Sequence, residues 1–211
     1  MWKLILKSVA CGLGLSVVSQ CGLAEVLKQD NQHVRTWNRF ADGILALHRK
    51  QLAKYPHSKK TQTGGYAGQA DFYLEERYYQ GKRLLSKVQW EKANPKVLHT
   101  IEVYLHDSKG RVVRDYIAAY LPTYHNAPVQ TLVTLHRYHG KLHAFRSFDA
   151  SGYRVIERCT GTLQAQEVNL LLDEDEIIAS QDDPDGVMAT PEYRTCFGEL
   201  AQEAGKYLTP Q

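Results

Sequence analysis

The chain has 211 residues, with 26 Lys and Arg against 23 Asp and Glu, a formal charge of +3. So nearly balanced a surface gives no global electrostatic reason to seek nucleic acid, which is set aside as a partner. Apolar residues make up 43% of the chain, enough to build a core in a domain of this size.

The N-terminus carries the first pattern. Lys3 and Lys7 give a short positive start, and no charged residue occurs from Ser8 to Ala24. Gly22 and Ala24 then supply the small residues wanted before a cut ahead of Glu25. Positive start, apolar run and small-residue cut are the order of a secretion signal. The apolar run is shorter than the roughly 20 residues that span a bilayer, and Ser16, Ser19 and Gln20 interrupt it. Residues 1–24 are therefore expected to be a cleaved signal peptide, and 25–211 a single α+β domain in the periplasm or secreted, with no transmembrane span. Val18-Ser19-Gln20-Cys21 offers an alternative, a lipid anchor at Cys21, although Gln20 is larger than the residue such a box prefers. Cleavage removes Lys3 and Lys7 and leaves a formal charge of +1. It also removes Cys11 and Cys21, so Cys159 and Cys196 remain and are expected to form one disulfide.

Trp37, Phe40, Ile44, Leu47 and Leu52 recur at helical spacing, and Pro56 ends that helix. His57 to Gly68 is polar and glycine-rich and reads as a loop. The period then changes to two. Strands are expected over 72–79, 82–90, 97–107, 111–121, 131–138, 141–149 and 153–163, with one or two short additions drawn from 168–172 and 176–179. Asp107-Ser-Lys-Gly110 and Asp149-Ala-Ser-Gly152 each place an Asp three residues before a Gly, which suits a type I turn closed by a left-handed glycine. The carboxylates from Asp173 to Asp185 read as a solvated acidic linker. Thr190-Pro191 opens a last helix whose apolar stripe runs through Tyr193, Cys196, Phe197, Leu200, Ala204 and Tyr207. Hairpin following hairpin predicts a curved antiparallel meander of seven or eight strands, a half-barrel or closed barrel, packed with an N-terminal and a C-terminal helix.

Six of the nine histidines fall between His99 and His143. If His139-Gly140 is a two-residue turn, His136 lies directly opposite His143, on a face with Thr134, Tyr138 and Phe145. Opposed Cβ atoms are about 5 Å apart, close enough for two imidazoles to share an ion. His136, His143 and His139 are the candidate metal ligands, and copper or zinc the ion imidazole suits. His99 alternates with apolar residues and is expected to be a hydrogen-bonded core histidine. Thirteen tyrosines against five phenylalanines favour amphipathic contact surfaces. Tyr104, Tyr116 and Tyr120, with Arg114 beside them, are read as one ligand-binding strand face. No nucleophile elbow, H-E-x-x-H, phosphate-binding loop or haem attachment motif occurs, and no catalytic residue is assigned. The functional expectation is a non-catalytic exported accessory protein whose aromatic, histidine-bearing sheet face meets a small ligand or protein partner. The alternatives are a copper- or zinc-binding protein using His136 and His143, and a hydrolase whose site has no sequence signature.

Overall fold

The computed structural model describes residues 31–122 and 124–211, apart from the side chain of Asn31. The signal sequence, its cleavage site, Cys11 and the lipidation alternative at Cys21 lie outside the described residues. Helix α1 (Asn31–Lys54) stops just before Pro56, as the helical spacing predicts. Its stripe buries Phe40, Ile44 and Leu47, and Trp37 packs at the margin of the core.

Nine strands follow: β1 (Ser58–Tyr66), β2 (Gln69–Gln80), β3 (Arg83–Glu91), β4 (Leu98–His106), β5 (Val112–Ala119), β6 (Gln130–His139), β7 (Leu142–Phe148), β8 (Arg154–Leu163) and β9 (Gln166–Leu172). They pair antiparallel strictly in chain order, and the sheet does not close. Two expectations are corrected here. Among the described residues there are nine strands rather than seven or eight, and β1 and β9 remain free edges, which overturns the closed-barrel alternative. The missed strand is β1, read as a loop because it is almost wholly exposed and so shows no apolar alternation. Pairing with β2 holds it, assisted by a Lys59–Glu76 ion pair of 2.7 Å. Both Asp-to-Gly turns form as expected. Gly110 (φ +81°) and Gly152 (φ +91°) are left-handed, and each donates its N–H to the Asp carbonyl three residues earlier at 3.0 Å.

One face of the sheet carries the core. Val88, Ile101, Val103, Tyr116, Ala118, Val133, Leu135 and Ala144 alternate along their strands and pack beneath α1 and the C-terminal segment. His48 reaches from α1 to Ser86 of β3 at 2.8 Å and stays neutral more readily than a free histidine, because burial pushes its pKa down.

The C-terminal segment departs from expectation twice. Residues 176–179 are not a strand but part of α2 (Glu174–Ser180), opened by a capping box in which Asp173 and Glu176 satisfy each other's backbone N–H. The acidic run is thus partly a helix cap. Helix α3 (Pro191–Phe197) begins at Thr190, whose side chain accepts from Tyr193 N–H, but ends at Gly198. The rest of the segment is irregular and closes with a 3₁₀ turn at Gly205–Leu208.

Cys159 on β8 and Cys196 on α3 are bonded, S–S 2.06 Å, across a separation of 37 residues. Beside them lies a polar knot that the sequence did not suggest. Arg146 and Glu157 are both fully buried. Glu157 accepts from Arg146, from Arg154 and, at 2.7 Å, from the Tyr193 hydroxyl. Arg146 also donates to the carbonyls of Leu200 and Ala201 at 3.1 and 2.8 Å. Gly161 on β8 (φ +134°) comes so close to the 140–141 turn that a Cβ would run into the Lys141 carbonyl oxygen. Gly161→Ala is expected to destabilise the protein by about 1–3 kcal/mol through backbone strain alone. A urea midpoint equal to wild type would contradict this.

Candidate functional site

The opposite face of the sheet has no helix against it among the described residues. Antiparallel register fixes which side chains share it. Tyr104 pairs with Asp115, Asp115 with Thr134 and Thr134 with Ser147. In the neighbouring row His136 pairs with Phe145 and Phe145 with Arg158. In the next, Tyr138 pairs with His143, His143 with Thr160 and Thr160 with Asn169.

The two histidines meet, by a different register from the one expected. The hairpin turn is Gly140-Lys141, with His139 paired to Leu142. This moves the whole pairing along by two positions, so face is preserved while His136 and His143 become diagonal neighbours. His139, by contrast, shares the face of the buried Leu142 at its exposed end and does not join them.

Asp115 completes a chain. His136 Nε2 stands 2.6 Å from Asp115 Oδ2, and His136 Nδ1 stands 3.0 Å from His143 Nε2. A carboxylate only accepts, so a neutral His136 carries its proton on Nε2, and its Nδ1 then accepts from His143 Nε2–H. Tyr138 stacks on the His143 ring at 4.5 Å with the planes 4° apart, and the Arg111 guanidinium lies over Tyr138 at 4.6 Å. Asp115, with 8% of its surface exposed, is paired across the strands with Thr134, whose hydroxyl bonds that of Ser147 at 3.0 Å. Burial, with the neighbouring His136, pushes the His143 pKa below its ordinary value.

A hydrogen bond joins the two facing nitrogens, and the far nitrogen of His136 is engaged by Asp115. Among the described residues no group of three or more His, Cys, Asp and Glu side chains could hold an ion.

The expected tyrosine face is divided. A bulge lies between Leu105 and His106. Continuing the His106–Val112 pairing would put Tyr104 on the face of Arg114 and Tyr116, but the one-residue shift turns it to the other. Tyr104 lies on the uncovered side, donating to Glu102, where burial and that carboxylate raise its pKa. Tyr116 is fully buried on the covered side, 6.0 Å from the Phe40 ring. Arg114 lies with it, donating to the Gln211 carbonyl at 2.9 Å and resting over the Tyr116 and Tyr207 rings. Tyr120, just past β5, packs against the core, and its pKa is pushed up to about 12 by burial and Asp42. His99 is the core histidine expected, 2% exposed, paired through Nε2 with the Tyr66 hydroxyl and enclosed by Phe72 and Tyr73.

Four histidines, His48, His99, His106 and His143, have folded pKa values below 6.5, each chiefly by burial. The unfolded chain binds protons at these sites first, so their contribution to stability is present above pH 6.5 and is lost progressively as pH drops below it. Urea midpoints measured from pH 7.5 to 5 are expected to fall. A flat profile would contradict the buried neutral state.

Comparison with protein-family models, curated proteins and solved structures finds no match to this chain. Among the described residues no helix is long and apolar enough to cross a membrane.

Proposed function

We propose that this is an exported binding protein that takes a small polar ligand on the uncovered face of its sheet, around His136 and His143. The carrying observation is the Asp115–His136–His143 chain, ionisable groups fixed in one order on paired strands where no helix among the described residues covers them. Such a chain is poor core material and costs desolvation, whereas a prearranged set of donors and acceptors suits recognition. Beside it Arg158, Thr160, Thr162, Glu167 and Asn169 border a shallow concavity of about 510 Å³. The extracytoplasmic address is supported by the signal pattern in residues 1–24 and by the Cys159–Cys196 disulfide. A panel of small carboxylates, sugars and amides, screened by amide chemical shifts on ¹⁵N-labelled protein, tests the site. Shifts are expected to centre on His136, His143, Thr160 and Asn169. Shifts confined to the helix-covered face, or none across the panel, would overturn it.

A further inference from the structure

The order of hydrogen bonds leaves one ring nitrogen uncommitted. Asp115 fixes the proton of His136 on Nε2, and His136 Nδ1 in turn takes the Nε2–H of His143. A neutral His143 then carries its lone pair on Nδ1, which makes no hydrogen bond to any described group and is not among the buried unsatisfied atoms. Carboxylate, imidazole, imidazole reproduces the roles of orienter, base and nucleophile in covalent catalysis. Here the nucleophile is itself a ring, its reacting nitrogen on one side and its departing proton on the other.

The neighbours suit an acyl substrate. Thr160 is directly paired with His143, which puts their Cβ atoms about 5 Å apart. Asn169 pairs with Thr160 on the far side, and Arg158 lies two residues along the same strand face. Arg158 is exposed and takes part in none of the ion pairs among the described residues. These three side chains are hydrogen-bond donors bordering the concavity beside the nucleophile. An oxyanion formed there would find neutral and cationic donors together.

We propose that His143 Nδ1 is an acyl-accepting nucleophile, and that this face hydrolyses small esters. The inference rests on the same face as the binding reading and goes beyond it. Nδ1 adds to the ester carbonyl, and Thr160, Asn169 and Arg158 receive the oxyanion. As the tetrahedral adduct collapses, the carbon–oxygen bond breaks and the alkoxide or phenolate leaves with the electron pair. The acylated ring discharges its positive charge by passing Nε2–H to His136 Nδ1, giving an imidazolium beside Asp115. Water then adds to the acyl carbon and gives up one proton to the solvent, where it neutralises the departed alkoxide or phenolate; the carbon–nitrogen bond breaks, and the proton on His136 returns to His143 Nε2. The carboxylic acid is released, and no oxidant or cofactor is needed. His136 is the base, and Asp115 is a positioning residue.

p-Nitrophenyl acetate is the probe. Wild-type protein is expected to release p-nitrophenolate with a burst of about one equivalent. Its second-order rate should exceed that of free imidazole at the same pH by about 100-fold or more. His143→Ala should abolish the burst, and Asp115→Asn should slow it at least about tenfold and alter its pH profile. His139→Ala, on the other face, should behave as wild type. A rate no better than imidazole, a burst that survives His143→Ala, or indifference to Asp115→Asn would each overturn the proposal. Should Asp115→Asn fail to fold, the wild type still decides. Long-range ¹H–¹⁵N spectra must show His143 protonated on Nε2 and bare on Nδ1, and the opposite tautomer sinks the mechanism. Ligand shifts at this face without esterolysis would defeat the catalytic inference and leave the binding reading standing.

Discussion

Glu157→Gln is expected to lower the free energy of unfolding by about 3–5 kcal/mol, the usual effect of stranding a buried charge. Glu157 and Arg146 are fully buried, and the carboxylate also serves Arg154 and the Tyr193 hydroxyl. Glutamine keeps the shape and one acceptor but leaves two guanidinium groups without an anion. A double substitution, Arg146→Met with Glu157→Leu, should be less harmful than Glu157→Gln alone, because it removes the stranded charge along with its partner. Urea unfolding of the three proteins checks the ranking. A double variant worse than the single would mean that the carbonyl contacts of Arg146 to Leu200 and Ala201, rather than charge compensation, dominate the knot.

Loss of the Cys159–Cys196 bond is the second large effect. Closing 37 residues of separation constrains the unfolded chain by roughly 3–4 kcal/mol in the entropic account. Cys159→Ala with Cys196→Ala should show that loss in denaturant melts, and addition of a reductant should shift only the wild type. The disulfide and the Glu157 knot both hold α3 and the residues after it against β7 and β8. Their effects should therefore not add. Once one fastening has let the segment go, removing the other costs less than it does alone. Strict additivity would mean that the two act on separate units.

Much of the meander was legible because its punctuation is local. Gly110 and Gly152 sit in turns that need a positive φ, and the preceding Asp side chains bind backbone N–H groups of the same turns. The α1 stripe and the Cys pair were equally readable. Edge strand β1 was not, since a strand exposed almost throughout has no buried face to impose alternation. Register was the other limit. A single bulge at Leu105–His106 reversed the side on which Tyr104 was expected relative to Tyr116. Asp115 escaped notice because its partner lies 21 residues further on in another strand, a juxtaposition only the pairing of β5 with β6 creates. Arg146 lies between Phe145 and Ser147 with nothing local to mark it as buried, yet it shares its face with the buried Ala144 and Phe148. No local pattern announces that a distant glutamate will receive it.

The nearest-neighbour strand order also governs how the chain reaches this structure. Every β pairing joins consecutive segments, so each closes a short loop and little entropy is lost before contacts reward it. The sheet can grow hairpin by hairpin in a zipper. The long-range closures are different in kind: α1 must dock across β3 to β6, and the C-terminal segment must fold back onto β6, β7 and β8. Refolding should accordingly be fast in its sheet signal and slower in its tertiary packing. The thiols come together only in that second stage, so oxidation before docking would fasten the chain at the wrong time.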